Sequence, residues 1–529
     1  MTPPRRTRLL AIAAVALLAG CSQIVTGTGS TAGAPSGQSP SGSSATANPT
    51  PVEGAPSIRF SDCSSLFDAS SVPVPPSLSG KIRFSCGRLD VPLDYADPSG
   101  RTITLELVKV HDTDTSQRIG SLLVNPGGPG GSGIELALGL TGSIAPTILQ
   151  HFDLVGFDPR GVGLSTPINC ISDAEKDKLN AASPDIRTAA GFAQAKALAK
   201  QVADACSAKY GPALARFDTV NTARDMDVIR RALGDASMNY LGFSYGTELG
   251  GVYAHLFPAT IRVAVLDGAV DPLTSGIQAF ADQLEGFEKA FDQFATTYCD
   301  TTSPCSSLGN PRQAVYAVVA RAQQRPLPTG DQGPYRQLTS ALALTGVLEA
   351  LYSQSDWPTL AAALIAATKG DGSKLLALAD EYNQRTGGHY SNIMDANTTI
   401  SCNDEAPGPT DAQIRATVAQ WVTRFPMFGL WSAASLFGCQ QWQPDRTPVP
   451  QPTASSTPNP VLVIGNLHDP ATPYQGAVDL TRILGHAELL SWDGEGHTSY
   501  LQGSSCIDDY VNAYLVDEKL PPQDTTCPR

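Results

Sequence analysis

Between Thr102 and Val110 apolar and polar side chains alternate with period two, the pattern of a strand with one buried face. Ile82-Arg83-Phe84 and Leu89-Asp90-Val91-Pro92-Leu93, just upstream, carry the same signal. Further on the pattern changes. Gly120 to Val124, Phe152 to Phe157, Met238 to Phe243, Ile261 to Leu266, Val461 to Gly465 and Ala487 to Trp492 are short apolar runs. Strands buried on both faces need such runs. Helical periods separate several of them, over 189–209, Thr222 to Leu233 and Glu248 to Phe257. Strand and helix in alternation predict an α/β chain with a mainly parallel sheet and flanking helices.

After Pro272 the rhythm is helical, at 277–298, 311–324, 338–369 and 411–424, with no strong strand before Val461. An all-helical insertion framed by two strands of one sheet predicts a cap domain over a site at the strand ends. Its aromatic residues Tyr352, Trp357, Trp421, Phe425 and Trp431 are assigned to its core, none to substrate.

The amino-terminal end is organised differently. Arg5, Arg6 and Arg8 precede an apolar run from Leu9 to Leu18, then Leu18-Ala19-Gly20-Cys21. A basic start, a short apolar stretch and small residues at a cut site describe an export signal. Cys21 sits where a bacterial lipobox places the cysteine that is lipidated after cleavage. Residues 22–52 carry no charge and are mostly Ser, Gly, Thr, Ala and Pro, a tether reaching about 30 Å as a random coil. The expected division is therefore 1–20 signal, 21–56 lipidated cysteine and linker, 57–271 first part of the core, 272–455 helical cap, and 456–529 the rest of the core.

Composition agrees with export. Apart from Cys21 the chain has ten cysteines, at 63, 86, 170, 206, 299, 305, 402, 439, 506 and 527. An even number in an exported chain predicts five disulfides. Spacing does not fix their connectivity; nearest-neighbour pairing is the expectation, with Cys299–Cys305 closing the smallest loop. No Cys-x-x-Cys pair or clustered His/Cys spacing suggests a metal site. Loss of residues 1–20 removes three arginines and no acid, moving the formal charge from −14 to −17. That balance argues against nucleic-acid binding and against electrostatic attraction to anionic lipid, leaving the amino-terminal lipid as the membrane contact.

Candidate chemistry centres on Asn239 to Thr247, where an apolar strand meets Gly242-Phe243-Ser244-Tyr245-Gly246 and a helix follows at once. A serine on so sharp a strand-to-helix turn has its hydroxyl lifted clear of the sheet, and only tiny residues fit two places before and after it. Asn125-Pro126-Gly127-Gly128-Pro129-Gly130-Gly131-Ser132-Gly133 follows another buried strand. Its spacing matches neither phosphate-binding glycine motif. Beside a serine elbow it reads as the second wall of an oxyanion hole, with Gly128 the first choice of N–H donor, Gly127 the second, and Tyr245 supplying the other N–H. Asp158 and Arg160, after the next strand, are expected to form an ion-paired turn buttressing that loop.

A serine nucleophile needs a base, and the base a carboxylate. His497, in the loop after the last apolar strand, has the best setting of the seven histidines. Asp469, four residues past the strand at 461–465, is the preferred acid; Asp271 is its rival. Asp493 and Glu495 lie too close to His497 in sequence to reach its far nitrogen easily. Ser244, Asp469 and His497 then follow the order of the α/β-hydrolase template, each at a strand's carboxyl end.

At this point the chain resembles a family. The segments 125–133, 156–163, 242–247 and 469–473 look like those of secreted tripeptidyl-aminopeptidase-like α/β-hydrolases of actinobacteria, relatives of proline iminopeptidase. The resemblance runs from about residue 60 to the carboxyl terminus and includes Ser401-Cys402-Asn403-Asp404, similar to a Cys-x-Asp segment in the family's cap. It implies a serine exopeptidase that releases short peptides from free amino termini, without metal or cofactor, in a lipoprotein of the mycobacterial cell-envelope type. One departure stands out: Pro126 occupies the place of the histidine heading the glycine loop in proline iminopeptidases, so proline specificity is not implied. Such an enzyme must bind an α-ammonium, and a buried cation needs a carboxylate. Asp404 and Glu405 are the first candidates and Glu248 the third. The alternative for Asp404 is that it hydrogen-bonds the cap beside a Cys402–Cys439 bridge. An esterase or lipase acting on envelope lipids through the same triad, and an inactive envelope binding lipoprotein, are the competing readings. Oligomeric state is not legible.

Overall fold

A computed structural model of the protein describes residues 57–67, 72–303, 305–331, 333–454 and 456–529. The expected signal, Cys21 and the linker to residue 56 lie outside these residues. The strands are β1 (Arg59–Asp62), β2 (Ile82–Pro92), β3 (Thr102–Asp112), β4 (Gly120–Asn125), β5 (Phe152–Phe157), β6 (Met238–Phe243) and β7 (Ile261–Asp267), then β8 (Arg385–Thr386), β9 (His389–Tyr390), β10 (Val461–His468), β11 (Ala487–Glu495) and β12 (Thr526–Cys527). All but β8 and β9 form one sheet in the order β1-β2-β3-β5-β4-β6-β7-β10-β11-β12. The pairs β1–β2, β2–β3 and β3–β5 are antiparallel. From β5 through β12 every pair is parallel. This is an α/β-hydrolase fold.

Period-two packing builds two cores, one on each face. Leu122, Val124, Leu154 and Leu241 join one apolar cluster, while Leu123, Val155 and Tyr240 join the other. On β4, β5 and β6 every residue is buried. Each Leu or Val sequestered there contributes on the order of 1.5–3 kcal/mol. The strands β10 and β11 outrun their apolar stretches by three residues each, because the backbone ladder continues through polar residues where the sheet edge meets the site.

A third apolar cluster belongs to the helical layer, built on Gly276–Gln293, Pro311–Gln324, Ser340–Glu349, Trp357–Thr368, Ser373–Tyr382 and Asp411–Arg424. The period at 338–369 is two helices, divided where Pro358 opens the second. The short β8–β9 hairpin also falls here, where the sequence pattern predicts no strand. The layer is not one continuous piece of chain. Ala181, Ile186, Phe192 and Ala195, from the segment expected to serve the sheet, pack into it, with Phe192 edge-on to Phe437 at 4.8 Å. Conversely Ala396, Ile400 and Trp442 join a sheet-side core. Helical periodicity reports that one face is buried, not against which partner.

Five disulfides join nearest neighbours: Cys63–Cys86, Cys170–Cys206, Cys299–Cys305, Cys402–Cys439 and Cys506–Cys527. All are local, and Cys402–Cys439 ties the helix Ile393–Asp404 to the end of the helical layer.

Candidate active site

Register brings the candidate chemistry to one edge of the sheet. Asn125 of β4 lies opposite Gly242 of β6, Phe243 opposite Asp267 of β7, and Ile464 of β10 opposite Asp267. The glycine loop, the serine turn and the two loops after β10 and β11 therefore leave the sheet side by side. Open α/β sheets bind their ligands at this carboxyl edge.

Ser244 sits between β6 and the helix Tyr245–Leu256 with φ 56° and ψ −127°, outside the ordinary regions for a side-chain-bearing residue. Its N–H is held by the Asp267 carbonyl at 2.9 Å, and its own carbonyl accepts the Thr247 hydroxyl at 2.7 Å. The flanking glycines are required by close approach. A Cβ on Gly242 would meet the Gly246 carbonyl oxygen at 2.5 Å, and one on Gly246 would meet the Asn125 carbonyl oxygen at 2.9 Å.

The glycine loop presses on this turn. Gly127 and Gly128 have φ of 94° and 112°. A Cβ on Gly127 would lie 2.5 Å from the Phe243 carbonyl oxygen and 2.9 Å from both Ser244 Cβ and the Tyr245 nitrogen. The two candidate donors differ in what they already bind. Gly127 N–H donates to Asn125 Oδ1 at 2.9 Å, whereas Gly128 N–H makes no hydrogen bond among the described residues. Tyr245 is the first residue of its helix, where N–H groups lack intrahelical acceptors. Gly128 and Tyr245 are thus the pair with N–H groups to offer.

Asp158 and Arg160 do not pair with each other. The Asp158 carboxylate accepts the Ser132 hydroxyl at 2.5 Å and the Leu164 and Ile134 N–H groups at 2.8 and 3.3 Å, bracing the end of the glycine loop. Arg160 turns away to Asp225, at 2.6 and 2.7 Å, and to three backbone carbonyls. A fully buried guanidinium needs acceptors for all five N–H groups; Asp225 supplies two, the Pro92 and Leu93 carbonyls at the end of β2 two more, and the Arg216 carbonyl the fifth.

His497 lies two residues past β11. Its Nδ1 is 2.9 and 3.0 Å from the two oxygens of Asp469. Asp469 is itself oriented by the N–H groups of Ala471, Thr472 and Thr498 and by the Thr472 hydroxyl, at 2.8–3.1 Å. The imidazole Cε1 lies 3.2 Å from the position a Cβ on Gly268 would take. Gly268 follows Asp267, whose carbonyl holds the Ser244 N–H, so serine and imidazole share one strand end. Among the described residues no hydrogen bond joins the Ser244 hydroxyl to His497 Nε2; such bonds often close only when substrate binds. Burial pushes the imidazole down, yet the Asp469 carboxylate, with Asp267 behind it, outweighs burial and the net displacement is upward.

Asp271 and Glu495 are engaged elsewhere. Asp271 accepts the Leu273 N–H at 2.8 Å, and Glu495 holds Arg529 at 2.7 Å. His468 Nε2 faces Asp493 at 3.2 Å. Sequence spacing did not reveal the helical layer's part. The Tyr352 carbonyl accepts the His497 N–H at 2.7 Å, and the Tyr352 ring stands edge-on to the imidazole at 5.6 Å. Tyr352 therefore does more than fill the helical core.

A cavity of about 810 Å³ opens onto Ser244, and Gly128, Tyr245, Glu248, Glu405 and Asp469 line it. Glu248 is pushed up to about 7 by burial, with the neighbouring Glu405 charge second. Burial likewise raises Glu405, against Arg446. Asp404 does not line this cavity. It accepts from Thr219 N–H at 3.0 Å and Thr219 Oγ1 at 2.6 Å, and burial followed by Glu248 drives its carboxyl well above the usual range. Thr219 Oγ1 also contacts the Tyr245 hydroxyl. The Asp404 carboxyl is thus hydrogen-bonded to Thr219 of the core part rather than to the cap, and Glu248 and Glu405 face the cavity.

Fold and site together define a serine hydrolase. A family profile described as TAP-like protein matches residues 425–527. Serine protease Hip1 of Mycobacterium tuberculosis is 40% identical over 463 residues, 84% of this chain and 87% of that protein. Carboxylesterase B of the same organism is 38% identical, covering 84% and 86%. The tripeptidyl aminopeptidase of Streptomyces lividans is 35% identical, covering 84% and 83%. The chain belongs to the tripeptidyl-aminopeptidase-like family of α/β-hydrolases.

Proposed function

We propose that this protein is an exported serine peptidase that cuts peptide bonds near free amino termini through Ser244, His497 and Asp469. The observation that carries the reading is the Asp469–His497 pair at the strand end that also holds the strained Ser244 turn. His497 Nε2 takes the Ser244 proton as Oγ attacks the scissile carbonyl. Asp469 keeps the other nitrogen protonated and favours the imidazolium. Gly128 and Tyr245 N–H groups receive the oxyanion. The imidazolium then protonates the departing amine, and water, deprotonated by the same imidazole, releases the acyl group from Ser244. The helical layer, drawn mainly from 272–455 with Ala181 to Ala195 packed into it, serves as the cap and closes the cavity over this edge.

Glu248 and Glu405 give the specificity. Two carboxyls in one cavity bind an α-ammonium when at least one is ionised. Binding of a free-amine substrate should therefore tighten as pH rises through about 7, where Glu248 loses its proton. It should weaken again as the α-amine deprotonates near ~8. The sign for folding is opposite. A carboxyl raised in the folded state holds its proton more tightly than in the unfolded chain, so ionising it above the usual carboxylate range lowers stability. Glu248→Gln should raise KM for tripeptidyl anilides about 10-fold or more, with kcat less affected and hydrolysis of an N-acetylated ester unchanged. Equal effects on both substrates would remove the amine-binding role.

Gly127→Ala tests the loop. Its Cβ has no room against the elbow backbone and φ is positive, so turnover should fall by about 10²–10³-fold as the Gly128 N–H is displaced. Steady-state kinetics and thermal melting together check this; wild-type kcat would contradict the loop's role.

The distinguishing experiment is a panel of tripeptidyl anilides, N-blocked tripeptidyl anilides and acyl esters. Turnover of the free-amine tripeptidyl anilides but not of their N-blocked counterparts is the expected result, and ester turnover without any peptide turnover contradicts the reading. Lipidation of Cys21 would hold the enzyme at the outer face of the membrane. Cys21→Ala should move activity from the membrane fraction to the medium, measured by fractionation.

A further inference from the structure

Strand β7 ends in a carboxyl group that the reaction above leaves unused. Asp267 is fully buried and touches both halves of the site. Its backbone carbonyl holds the Ser244 N–H at 2.9 Å. Its side-chain Oδ2 accepts the N–H groups of Ser499 at 3.0 Å and Tyr500 at 2.8 Å, two and three residues after His497. Thr498, between them, has φ 66°, a conformation strained for a β-branched residue, and its N–H is held by Asp469 Oδ2 at 3.1 Å. Two carboxylates thus grip the turn that carries the imidazole. The remaining oxygen, Asp267 Oδ1, is buried with no hydrogen-bond partner among the described residues. Buried polar atoms are almost always paired, so an orphaned one in a site calls for a role.

We propose that Asp267 is a positioning residue for the reaction: it fixes the His497 turn against the Ser244 turn, and its bare Oδ1 places a second negative charge where the imidazolium forms. The proposal rests on the Ser244–Asp469–His497 reading. The charged groups facing Asp267 are Asp469, from the loop after β10, and His497, from the loop after β11; the Tyr352 ring covers the imidazole from the helical layer. Burial raises the Asp267 carboxyl to about 6, against the two N–H donors, so it is mostly ionised at neutral pH. Its charge acts in turn on His497. Without it the imidazolium is less favoured.

Asp267→Asn keeps an oxygen for the Ser499 and Tyr500 N–H groups and leaves the backbone contact to Ser244 intact, but removes the charge. With a tripeptidyl anilide as substrate, kcat should fall on the order of 10–100-fold with KM within about twofold. The acidic limb of the kcat profile, which leaves out the titration of Glu248 in substrate binding, should move to lower pH, because His497 loses a charge that favours its protonated form. Asp267→Glu should return that limb towards wild type. An unmoved acidic limb in Asp267→Asn, whatever its melting temperature, overturns the proposal. If Asp267→Asn does not fold, Asp267→Ser, with a neutral acceptor, is read by the same criterion. Ser244→Ala and His497→Ala run alongside: activity in either defeats the triad reading, whereas their inactivity with an unmoved limb defeats only the role of Asp267.

Discussion

Ser244→Ala should lower kcat by about 10⁵–10⁶-fold while leaving the fold and substrate binding close to wild type. The Ser244 side chain caps nothing at the start of its helix, so its hydroxyl is not needed for folding. Alanine meets the same backbone strain at φ 56° as serine does, and the Asp267 and Thr247 bonds to the turn use backbone atoms of residue 244. What remains is the oxyanion hole and the substrate cavity, which alone sustain a small rate over water. Steady-state kinetics, thermal melting and binding of a non-cleaved peptide by calorimetry check the three parts. A variant that melts like wild type, binds the peptide and still turns over at more than about a hundredth of the wild-type rate would remove Ser244 from the chemistry.

Asp469→Asn has the next largest expected effect, a fall in kcat of about 10⁴-fold. Asp469 accepts from three backbone N–H groups, the Thr472 hydroxyl and His497 Nδ1. Asparagine can keep the Ala471 and Thr472 N–H bonds through an oxygen in the Oδ1 place, but its NH₂ then replaces the Oδ2 that accepts from Thr498, meets the imidazole and selects the tautomer with the proton on Nε2. That tautomer cannot accept from Ser244. The substitution also removes the charge that lifts His497, so the residual activity should show its acidic limb at lower pH than wild type. Asp469→Ala would be a poorer test, because each orphaned N–H costs about 1–3 kcal/mol and folding would suffer with catalysis.

The sheet was legible because burial on both faces leaves apolar runs that few other structures need, and β4 through β7 stand where those runs lie. The turn at Ser244 was legible for a steric reason: Gly242 and Gly246 have no room for a Cβ. Asp469 and His497 could be read because each falls just after a strand, and strand ends share one edge. Other features depended on contacts between distant segments. Nothing in the spacing of Asp158 and Arg160 says that the guanidinium turns towards Asp225. Tyr352 reaches His497 through a backbone carbonyl, which leaves no mark on residue choice. Asp267 closes an apolar run, and only register puts it beside Ser244. Among the amine-binding candidates, Asp404 and Glu405 are sequence neighbours with different surroundings. One is bonded to Thr219, the other faces the cavity.

The central claim is that Ser244 is a nucleophile activated by His497, and active-site labelling tests it most directly. The folded protein is treated with a fluorophosphonate at neutral pH, digested, and the modified peptide is located by mass spectrometry. A single adduct on Ser244, forming at least about 10³-fold more slowly in His497→Ala, is the result expected of general-base activation. Labelling at another residue, or an undiminished rate on Ser244 without the imidazole, would contradict the account.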